Sequence, residues 1–385
     1  MIDRTLRNKI VAIRDKFPVL SLTGPRQSGK TTLLKAIYTD LPYVNLEDTD
    51  IRAFALNDPR GFLSNYPQGA VLDEVQRVPH LFSYLQNIVD QKDVHFVLSG
   101  SQNFLMLENI LQSLAGRVMI LKLLPFSLKE LEHTINLSDY ENLVHTGFYP
   151  RIYDKEINPA DFYPSYISTY IERDVRQIKN IENRNSFIHL CAGRTGQLLN
   201  INALATDAGI SPNTAKAWLS VLEASYIIYF LQPYYKNFNK RIIKSPKLYF
   251  YDTGLACSLL NITHADQLRT HYHKGALFEN FILNEFYKHR LNLGQEPNFY
   301  FWQNKGKKEI DLLIERAAEL IPIEIKSGKT IQQSFFDNLL YWKKLTGNQK
   351  AELQVIYGGD QNFQTTSGNF IRWKNLNAFM ERIYS

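Results

Sequence analysis

Hydrophobic and polar positions divide the N-terminal part of the chain into short apolar runs and amphipathic stretches. The run of strand formers from Val19 to Thr23 is bounded by glycine, which is typical of a buried strand. The stretch TLLKAIY that soon follows has its apolar positions at helical spacing. Further apolar runs lie in GAVLDEVQ and DVHFVLSG. Buried strands that alternate with helices predict an α/β fold with a parallel sheet.

Residues 186–270 show a different pattern, with two helical stretches and two strand-like stretches. The apolar face of the first helix runs from Ile201 to Ala208, and a glycine follows it. Ser211 is expected to cap a second helix that begins at Pro212. The strand patterns YIIYFLQPYY and KLYFYDTG come next. This order predicts a helix-turn-helix with a wing, that is, a winged helix.

Residues 271–385 read as helix, strand, strand pair, helix and strand. In the strand pair EIDLLIE and LIPIEIKSG, alternate side chains lie on opposite faces. We therefore expect Asp311, Glu324 and Lys326 to share one face, and Glu279 on the preceding helix could join them. Carboxylates beside a lysine would form a divalent-metal site with a group that activates water. The alternative is a set of surface ion pairs.

The strongest single motif is GPRQSGKT, which lies between the first strand and the helix that follows it. This is the G-x-x-x-x-G-K-T pattern in the strand–loop–helix context that it requires. The amide groups of this loop and the N-terminus of the following helix favour the binding of a phosphate group. Lys30 would reach the β- and γ-phosphates of ATP, and the Thr31 hydroxyl would bind Mg²⁺. The expected nucleotide-binding residues are Gly24, Pro25, Arg26, Gln27, Ser28, Gly29, Lys30, Thr31 and Thr32.

A second motif, GAVLDEVQ, ends an apolar strand with two carboxylates. Asp73 would hold Mg²⁺ and Glu74 would orient and activate the attacking water, as in a hydrolysing NTPase. Ser99, Ser101 and Gln102 follow the next strand and could contact the γ-phosphate or the water. The residues leave open which of them does so, and a simple turn is the alternative.

Composition adds few constraints. The 385 residues carry a formal net charge of +6, which permits nucleic-acid binding without arguing for it. Cys191 and Cys257 lie in apolar surroundings, so we expect two reduced thiols in the core. The sequence shows neither a signal peptide nor a transmembrane stretch, so a cytoplasmic protein without a membrane partner is expected.

The motifs GPRQSGKTTLL, NLED, VLDEVQ, LSGSQ and LAGRV…LPFSLKEL together resemble the AAA+ ATPases of bacteria and archaea. The resemblance implies that Arg117 takes the arginine-finger position, in a homo-oligomer such as a hexamer. A surface arginine at a helix end is the alternative. Arg173 would be a weak candidate for a second sensor. The catalytic residues would then be Lys30, Glu74, Ser101 and Arg117.

The C-terminal pattern of Asp311 and the E-x-K motif resembles the restriction-endonuclease-like fold. The predicted fold class is therefore α/β, with four parts. They are a P-loop AAA+ core (1–125), a helical lid (126–185), a winged helix (186–270) and a nuclease-like α/β domain (271–385). Whether the last part still cuts DNA stays open.

The connection between the two wing strands is basic and contains no acidic residue. A wing with this charge would follow a phosphate backbone without reading sequence. The expected DNA-contacting residues are Lys236, Lys240, Arg241, Lys244 and Lys247. Packing of the winged helix between domains is the alternative. The sequence thus predicts an ATP- and Mg²⁺-dependent motor or remodeller on DNA. An ATP-regulated switch or a metal-dependent nuclease in a stress or defence pathway is the second hypothesis.

Overall fold

The computed structural model of the chain describes residues 2–101, 113–135, 137–171, 184–234, 244–317, 319–348 and 351–384. Its N-terminal region is built on a five-stranded sheet with the order β2-β3-β4-β1-β5, in which every strand pair is parallel. Because the strands are parallel, the carboxyl ends of β1, β3 and β4 lie at one edge. The strands are β1 (Val19–Thr23), β2 (Tyr43–Asn45), β3 (Val71–Asp73), β4 (Phe96–Gly100) and β5 (Val118–Lys122).

Helices cover both faces of this sheet, since successive strand side chains point to opposite sides. Val19 of β1 belongs to one hydrophobic cluster, and Leu20 and Leu22 belong to another. The central strands β1, β3 and β4 are buried on both faces, which explains their continuous apolar runs. The helices of this region are α1 (Leu6–Ile13), α2 (Lys30–Ile37), α3 (Thr49–Asn57), α4 (Pro59–Ser64) and α5 (Leu81–Gln91).

The described part of the middle region is mostly helical and contains a two-stranded antiparallel ribbon. Ser211 caps the second helix of the helix-turn-helix pair by accepting from the Thr214 amide at 3.1 Å, as expected from sequence. The helices are α6 (Leu128–Leu131), α7 (Tyr140–Thr146), α8 (Pro150–Asp154), α9 (Pro159–Tyr166), α10 (Arg184–Ala192), α11 (Ile201–Asp207), α12 (Pro212–Ala224), α13 (Thr253–Leu259) and α14 (Ala265–Thr270). A π-helical turn (Ile167–Ile171) follows α9, and the ribbon strands are β6 (Ile228–Leu231) and β7 (Lys247–Phe250).

The C-terminal region contains a mixed six-stranded sheet with the order β12-β13-β11-β10-β9-β8. Strands β9 and β10 are an antiparallel pair in which Ile323 lies opposite Leu312, and β11 joins β10 in parallel. The strands are β8 (Phe299–Gln303), β9 (Glu309–Arg316), β10 (Glu319–Lys326), β11 (Gln354–Tyr357), β12 (Phe363–Gln364) and β13 (Asn369–Arg372). The helices are α15 (Lys274–Asn292), α16 (Asp337–Thr346) and α17 (Leu376–Tyr384).

One hydrophobic cluster runs through the middle and C-terminal regions. It includes Tyr149 just before α8, Trp218 of α12, Phe281 of α15 and Trp373 near the C-terminus, all nearly inaccessible to solvent. The residues on either side of the predicted boundaries at 185/186 and 270/271 therefore share a core. The boundaries themselves stay a prediction.

The two cysteines, Cys191 and Cys257, are both buried free thiols. Among the residues that the structure describes, every helix falls short of the length and apolarity that crossing a bilayer demands.

Candidate active site

The loop between β1 and α2 folds tightly because two glycines adopt positive φ. Gly24 has φ +149°, and a Cβ atom there would lie 2.1 Å from the Leu123 carbonyl oxygen. Gly29, with φ +92°, caps the helix that starts at Lys30. Only glycine tolerates this close approach and this backbone conformation. The fold thereby directs a helix N-terminus into the loop, as phosphate binding requires.

Lys30 lies inside this loop rather than in solvent, with only 6% of its surface exposed. Its ammonium group donates to the carbonyl oxygens of Gly24 at 2.9 Å and Pro25 at 2.8 Å. Burial lowers the pKa of Lys30 to about 8, against the opposing effect of nearby carboxylates. A buried cation with only neutral acceptors has a strong preference for an anionic partner.

Asp73 ends β3 beside this loop and is surrounded by hydroxyl donors. Thr31 donates to Asp73 Oδ2 at 2.8 Å, Tyr43 donates to the same oxygen, and Ser99 at the end of β4 donates to Oδ1. Burial raises the pKa of Asp73, but these hydrogen bonds outweigh it and the net pKa is lowered. Asp73 is therefore an ionised carboxylate at neutral pH, as a Mg²⁺ ligand must be.

Glu74 follows Asp73 in the left-handed backbone region, with φ +55°. A non-glycine residue in this region costs on the order of 1–3 kcal/mol and is typical of functional sites. Gln76 donates a hydrogen bond to Glu74 Oε2, and Ser101 approaches the same oxygen at 3.4 Å. Ser101 is thus beside Glu74, whereas Gln102 lies outside the described residues.

A cavity of about 520 Å³ extends from the P-loop to the middle region. It is lined by Gln27, Thr31, Thr32 and Glu74 on one side and by Pro150 and Arg151 on the other. Its volume, and a lining that combines apolar surface with several polar and charged side chains, suit a nucleotide. The residues also fit Mg²⁺, because the Thr31 hydroxyl and the Asp73 carboxylate are hard oxygen donors in contact with each other.

Arg4 ties the first residues of the chain to this site, and sequence reasoning missed it. Its guanidinium donates to the Ser28 carbonyl at 2.6 Å and to the Leu124 carbonyl at 2.6 Å, and it pairs with Glu130 at 3.2 Å. The sequence offered no local signal for Arg4, or for Tyr43 on Asp73, because the partners are far apart in the chain. Arg151 lies in the motif GFYPRIY, and nothing local in that motif indicates that it would line the cavity beside the P-loop.

Arg117 lies at the edge of the sheet and pairs with the exposed Asp90, with 2.9 Å between Nη2 and Oδ2. This contact is within one chain, and the role of Arg117 toward a neighbouring subunit stays a prediction. Arg173 lies outside the described residues.

Among the residues that we expect to contact DNA, the two that the structure describes differ in their exposure to solvent. Lys244 is exposed, whereas Lys236, Lys240 and Arg241 lie outside the described residues. Lys247 is only 3% exposed, so its ammonium group does not lie on a surface that DNA could reach in this structure. Its side chain points inward because two carboxylates, Glu279 and Glu309, bind its ammonium group.

The four residues of the expected C-terminal metal site do lie near one another. Lys326 contacts Asp311 Oδ2 at 3.2 Å and Glu324 Oε1 at 3.2 Å. Carboxylate oxygens of Glu279, Glu309 and Asp311 lie within 4.8 Å of one another, close enough to share a metal ion. Sequence reasoning missed Glu309, although it precedes Asp311 by one alternation of the strand.

Burial perturbs this cluster strongly. Desolvation raises the pKa of Glu279 to about 7 and that of Glu324 to about 8, with neighbouring Asp311 adding to both. Burial alone would lower the pKa of Lys247, but Glu279 and Glu309 raise it overall. The oxygens suit a hard divalent cation. In this structure, however, the three carboxylates are not available to a metal ion, because the ammonium group of Lys247 already binds two of them.

The chain matches three family profiles. Residues 16–132 match the AAA domain, residues 137–266 match the domain of unknown function DUF8612, and residues 274–376 match the domain of unknown function DUF4143.

Similar curated proteins are themselves uncharacterized. The uncharacterized protein Rv2008c of Mycobacterium tuberculosis is 30% identical over 359 residues, which cover 90% of this chain and 78% of that protein. The uncharacterized protein MJ1544 of Methanocaldococcus jannaschii is 24% identical over 402 residues, which cover 94% of this chain and 86% of that protein.

Solved structures with partial likeness include the Walker-type ATPase PABY2304 of Pyrococcus abyssi, at 14% identity and a TM-score of 0.45. That alignment covers 67% of this chain and 96% of the other. The ORC1 protein of Aeropyrum pernix in complex with DNA aligns at 12% identity and a TM-score of 0.28, over 69% of this chain and 93% of the other.

The AAA match covers the P-loop, Asp73 and Glu74, and the mycobacterial similarity extends over nearly the whole chain. The chain therefore belongs to the same family as the mycobacterial protein Rv2008c, with an AAA-type ATPase domain at its N-terminal end.

Proposed function

We propose that this protein hydrolyses ATP with Mg²⁺ and acts on DNA as a motor or remodeller. The observation that carries the first half is the convergence of Lys30, Thr31, Asp73 and Glu74 at one edge of the sheet. Lys30 and the loop amides would bind the phosphates, and Thr31 and Asp73 would hold Mg²⁺, which supplies charge neutralisation at the phosphates. Glu74 would orient a water molecule and accept its proton as the water attacks the γ-phosphorus.

Contacts from the nucleotide site to the middle region support coupling between them. Thr23, at the end of β1, shares a hydrogen bond of 2.6 Å with the Tyr226 hydroxyl. Gln27 in the P-loop donates to the Tyr170 hydroxyl at 3.0 Å. A change in the conformation of the P-loop on hydrolysis would therefore be transmitted to the π-helical turn and to the residues that lead into the ribbon.

The DNA half of the proposal is supported by the surface of the helix-turn-helix. A groove of about 610 Å³ lies between α11, α12 and the ribbon, and it is polar. Asn200, Asn213, Lys216 and Ser245 line it, and all four are exposed. The exposed Lys244 lies next to Ser245. Amide, hydroxyl and ammonium groups of this kind contact phosphate without reading bases strongly.

A salt-dependent gel shift tests this half with duplex, branched and single-stranded DNA. Lys216→Glu, and separately Lys240→Glu with Arg241→Glu, should weaken binding and reduce its salt dependence, since each removes phosphate contacts. Lys305→Glu makes the same charge change at an exposed lysine in the C-terminal region and should have little effect. Binding that is the same in all variants would rule out this surface.

An ATP-regulated switch is the second candidate, and the shared core favours it. One cluster joins the middle and C-terminal regions, so these parts would move together rather than as separate arms. ATP turnover that DNA stimulates many-fold would support the motor. Slow turnover that DNA leaves unchanged would support the switch. The metal-dependent nuclease reading is weakened by Lys247, because its ammonium group binds the expected ligands.

A further inference from the structure

Lys247 is held in place by the backbone of the middle region, although its side chain reaches the C-terminal region. It begins β7 and pairs with Leu231 of β6. It also forms a bridge with Leu198, and the Leu199 amide donates to the Pro246 carbonyl at 2.8 Å. The direction of the side chain is therefore set by strand pairing on both sides of Lys247.

The ammonium group of Lys247 lies among carboxylates of the C-terminal charge cluster, which we define as Glu279, Glu309, Asp311, Glu324 and Lys326. It is 3.2 Å from Glu279 Oε1 and also contacts Glu309. These two carboxylates belong to the triad that is compact enough to share a metal ion.

The remaining members of the cluster are engaged differently. Lys326 pairs with Asp311 and Glu324, which leaves Lys247 as the cation of Glu279 and Glu309. Glu324 Oε2 is buried without a hydrogen-bond partner among the described residues. Four carboxyl groups thus face two ammonium groups in a desolvated space, so the cluster offers more oxygen ligands than the two ammonium groups engage.

From this geometry we infer that Lys247 is an internal cation that stands in the place of a divalent metal ion at the C-terminal charge cluster. An ammonium group and a metal ion compete for the same oxygens and repel each other at short range. The cluster therefore binds a divalent cation tightly only when β7 withdraws Lys247. The ribbon that leads to the expected DNA-contacting loop would then control the metal affinity of the C-terminal region.

Mn²⁺ titration of the nucleotide-free full chain, followed by electron paramagnetic resonance, tests this inference. Lys247→Gln removes the ammonium group and retains the three carboxylates. It should raise the Mn²⁺ affinity of the cluster about tenfold or more, because the competing charge is gone. Adding Asp311→Asn to that variant should remove the gain. Lys244→Gln, three residues earlier and outside the cluster, is the matched control and should bind Mn²⁺ as the wild type does.

Two results would overturn the inference. One is a folded Lys247→Gln variant whose Mn²⁺ affinity equals that of the wild type. The other is a loss of Mn²⁺ binding when Asp311→Asn is made in the wild type, since that would mean that the site is already open. The second measurement decides the question even if Lys247→Gln does not fold. Neither result bears on ATP hydrolysis, which takes place at the other end of the chain.

Discussion

At the scale of single residues, the burial of Lys30 has a measurable consequence. Its ammonium group is desolvated, which lowers its pKa from 10.5 to about 8, and among the described residues its hydrogen bonds go to carbonyl oxygens. Without nucleotide, the charged form therefore opposes folding. Bound phosphate would reverse this effect by supplying the missing negative charge.

Lys30→Met should stabilise the nucleotide-free protein while abolishing stabilisation by ATP. The gain in unfolding free energy should be on the order of 1–3 kcal/mol at pH 7, where the lysine is charged in both the folded and unfolded states. The gain should shrink as the pH rises from 8 towards 10.5, because the folded wild type then loses the proton. Urea denaturation across this pH range measures it.

Lys92→Met is the control for this prediction, since Lys92 is exposed and its removal should change stability little at any pH. A Lys30→Met variant that is less stable than the wild type at pH 7 would contradict the assignment of Lys30 as a desolvated cation that binds phosphate.

The location of the residues around the P-loop could be predicted from sequence, whereas their catalytic roles stay a prediction. Local spacing places Lys30 and Thr31 in the loop, and strand order places Asp73 and Glu74 beside it. Tyr43 could not be predicted in the same way, since nothing near it in sequence shows that β2 would lie beside β3.

At the scale of elements, the turn from β1 into α2 depends on Gly24. The Leu123 carbonyl after β5 occupies the space that a side chain at Gly24 would need, at 2.1 Å. The P-loop is therefore shaped by the neighbouring strand as well as by its own sequence.

Gly24→Ala should lower the unfolding free energy by at least about 2 kcal/mol and should weaken ATP binding, because backbone strain and a backbone collision add. Gly116→Ala is the matched control. Gly116 also has positive φ, at +77°, but a Cβ atom there meets nothing within 4 Å among the described residues. That variant should lose only about 1 kcal/mol.

Thermal and urea unfolding of both variants, with nucleotide titrations, provides the comparison. Equal losses in the two variants would show that close packing against Leu123 does not shape the loop.

Element order from α15 to β11 was predictable from the apolar pattern, and so was the proximity of Asp311, Glu324 and Lys326, whereas β12, β13 and α17 were not predicted. The inward direction of the Lys247 side chain was not predictable. A basic loop next to a strand reads as a solvent-facing wing, whereas the inward turn of Lys247 depends on carboxylates contributed by α15 and β9.

At the scale of the whole molecule, Arg117 bears on assembly. In this single chain it pairs with Asp90 at the surface. If Arg117 acts on a neighbour's nucleotide, Arg117→Ala should reduce ATP turnover by about a hundredfold or more and leave ATP affinity unchanged.

Mixing two inactive variants tests this role in assembly. Glu74→Gln subunits keep Arg117 but lack the proposed base. Arg117→Ala subunits keep Glu74 but lack the arginine. A mixture should recover part of the turnover only if the arginine of one subunit serves the site of another. No recovery, or normal turnover by Arg117→Ala alone, would leave Arg117 as a surface ion-pair residue.

The central claim is ATP hydrolysis directed by Glu74, and phosphate release measured beside nucleotide binding tests it most directly. The wild type should release phosphate from ATP only when Mg²⁺ is present. Glu74→Gln should bind ATP with similar affinity and release phosphate at least about a hundredfold more slowly, since it cannot accept the proton of the attacking water. Equal rates in the two proteins, or no turnover by the wild type with or without DNA, would contradict the account.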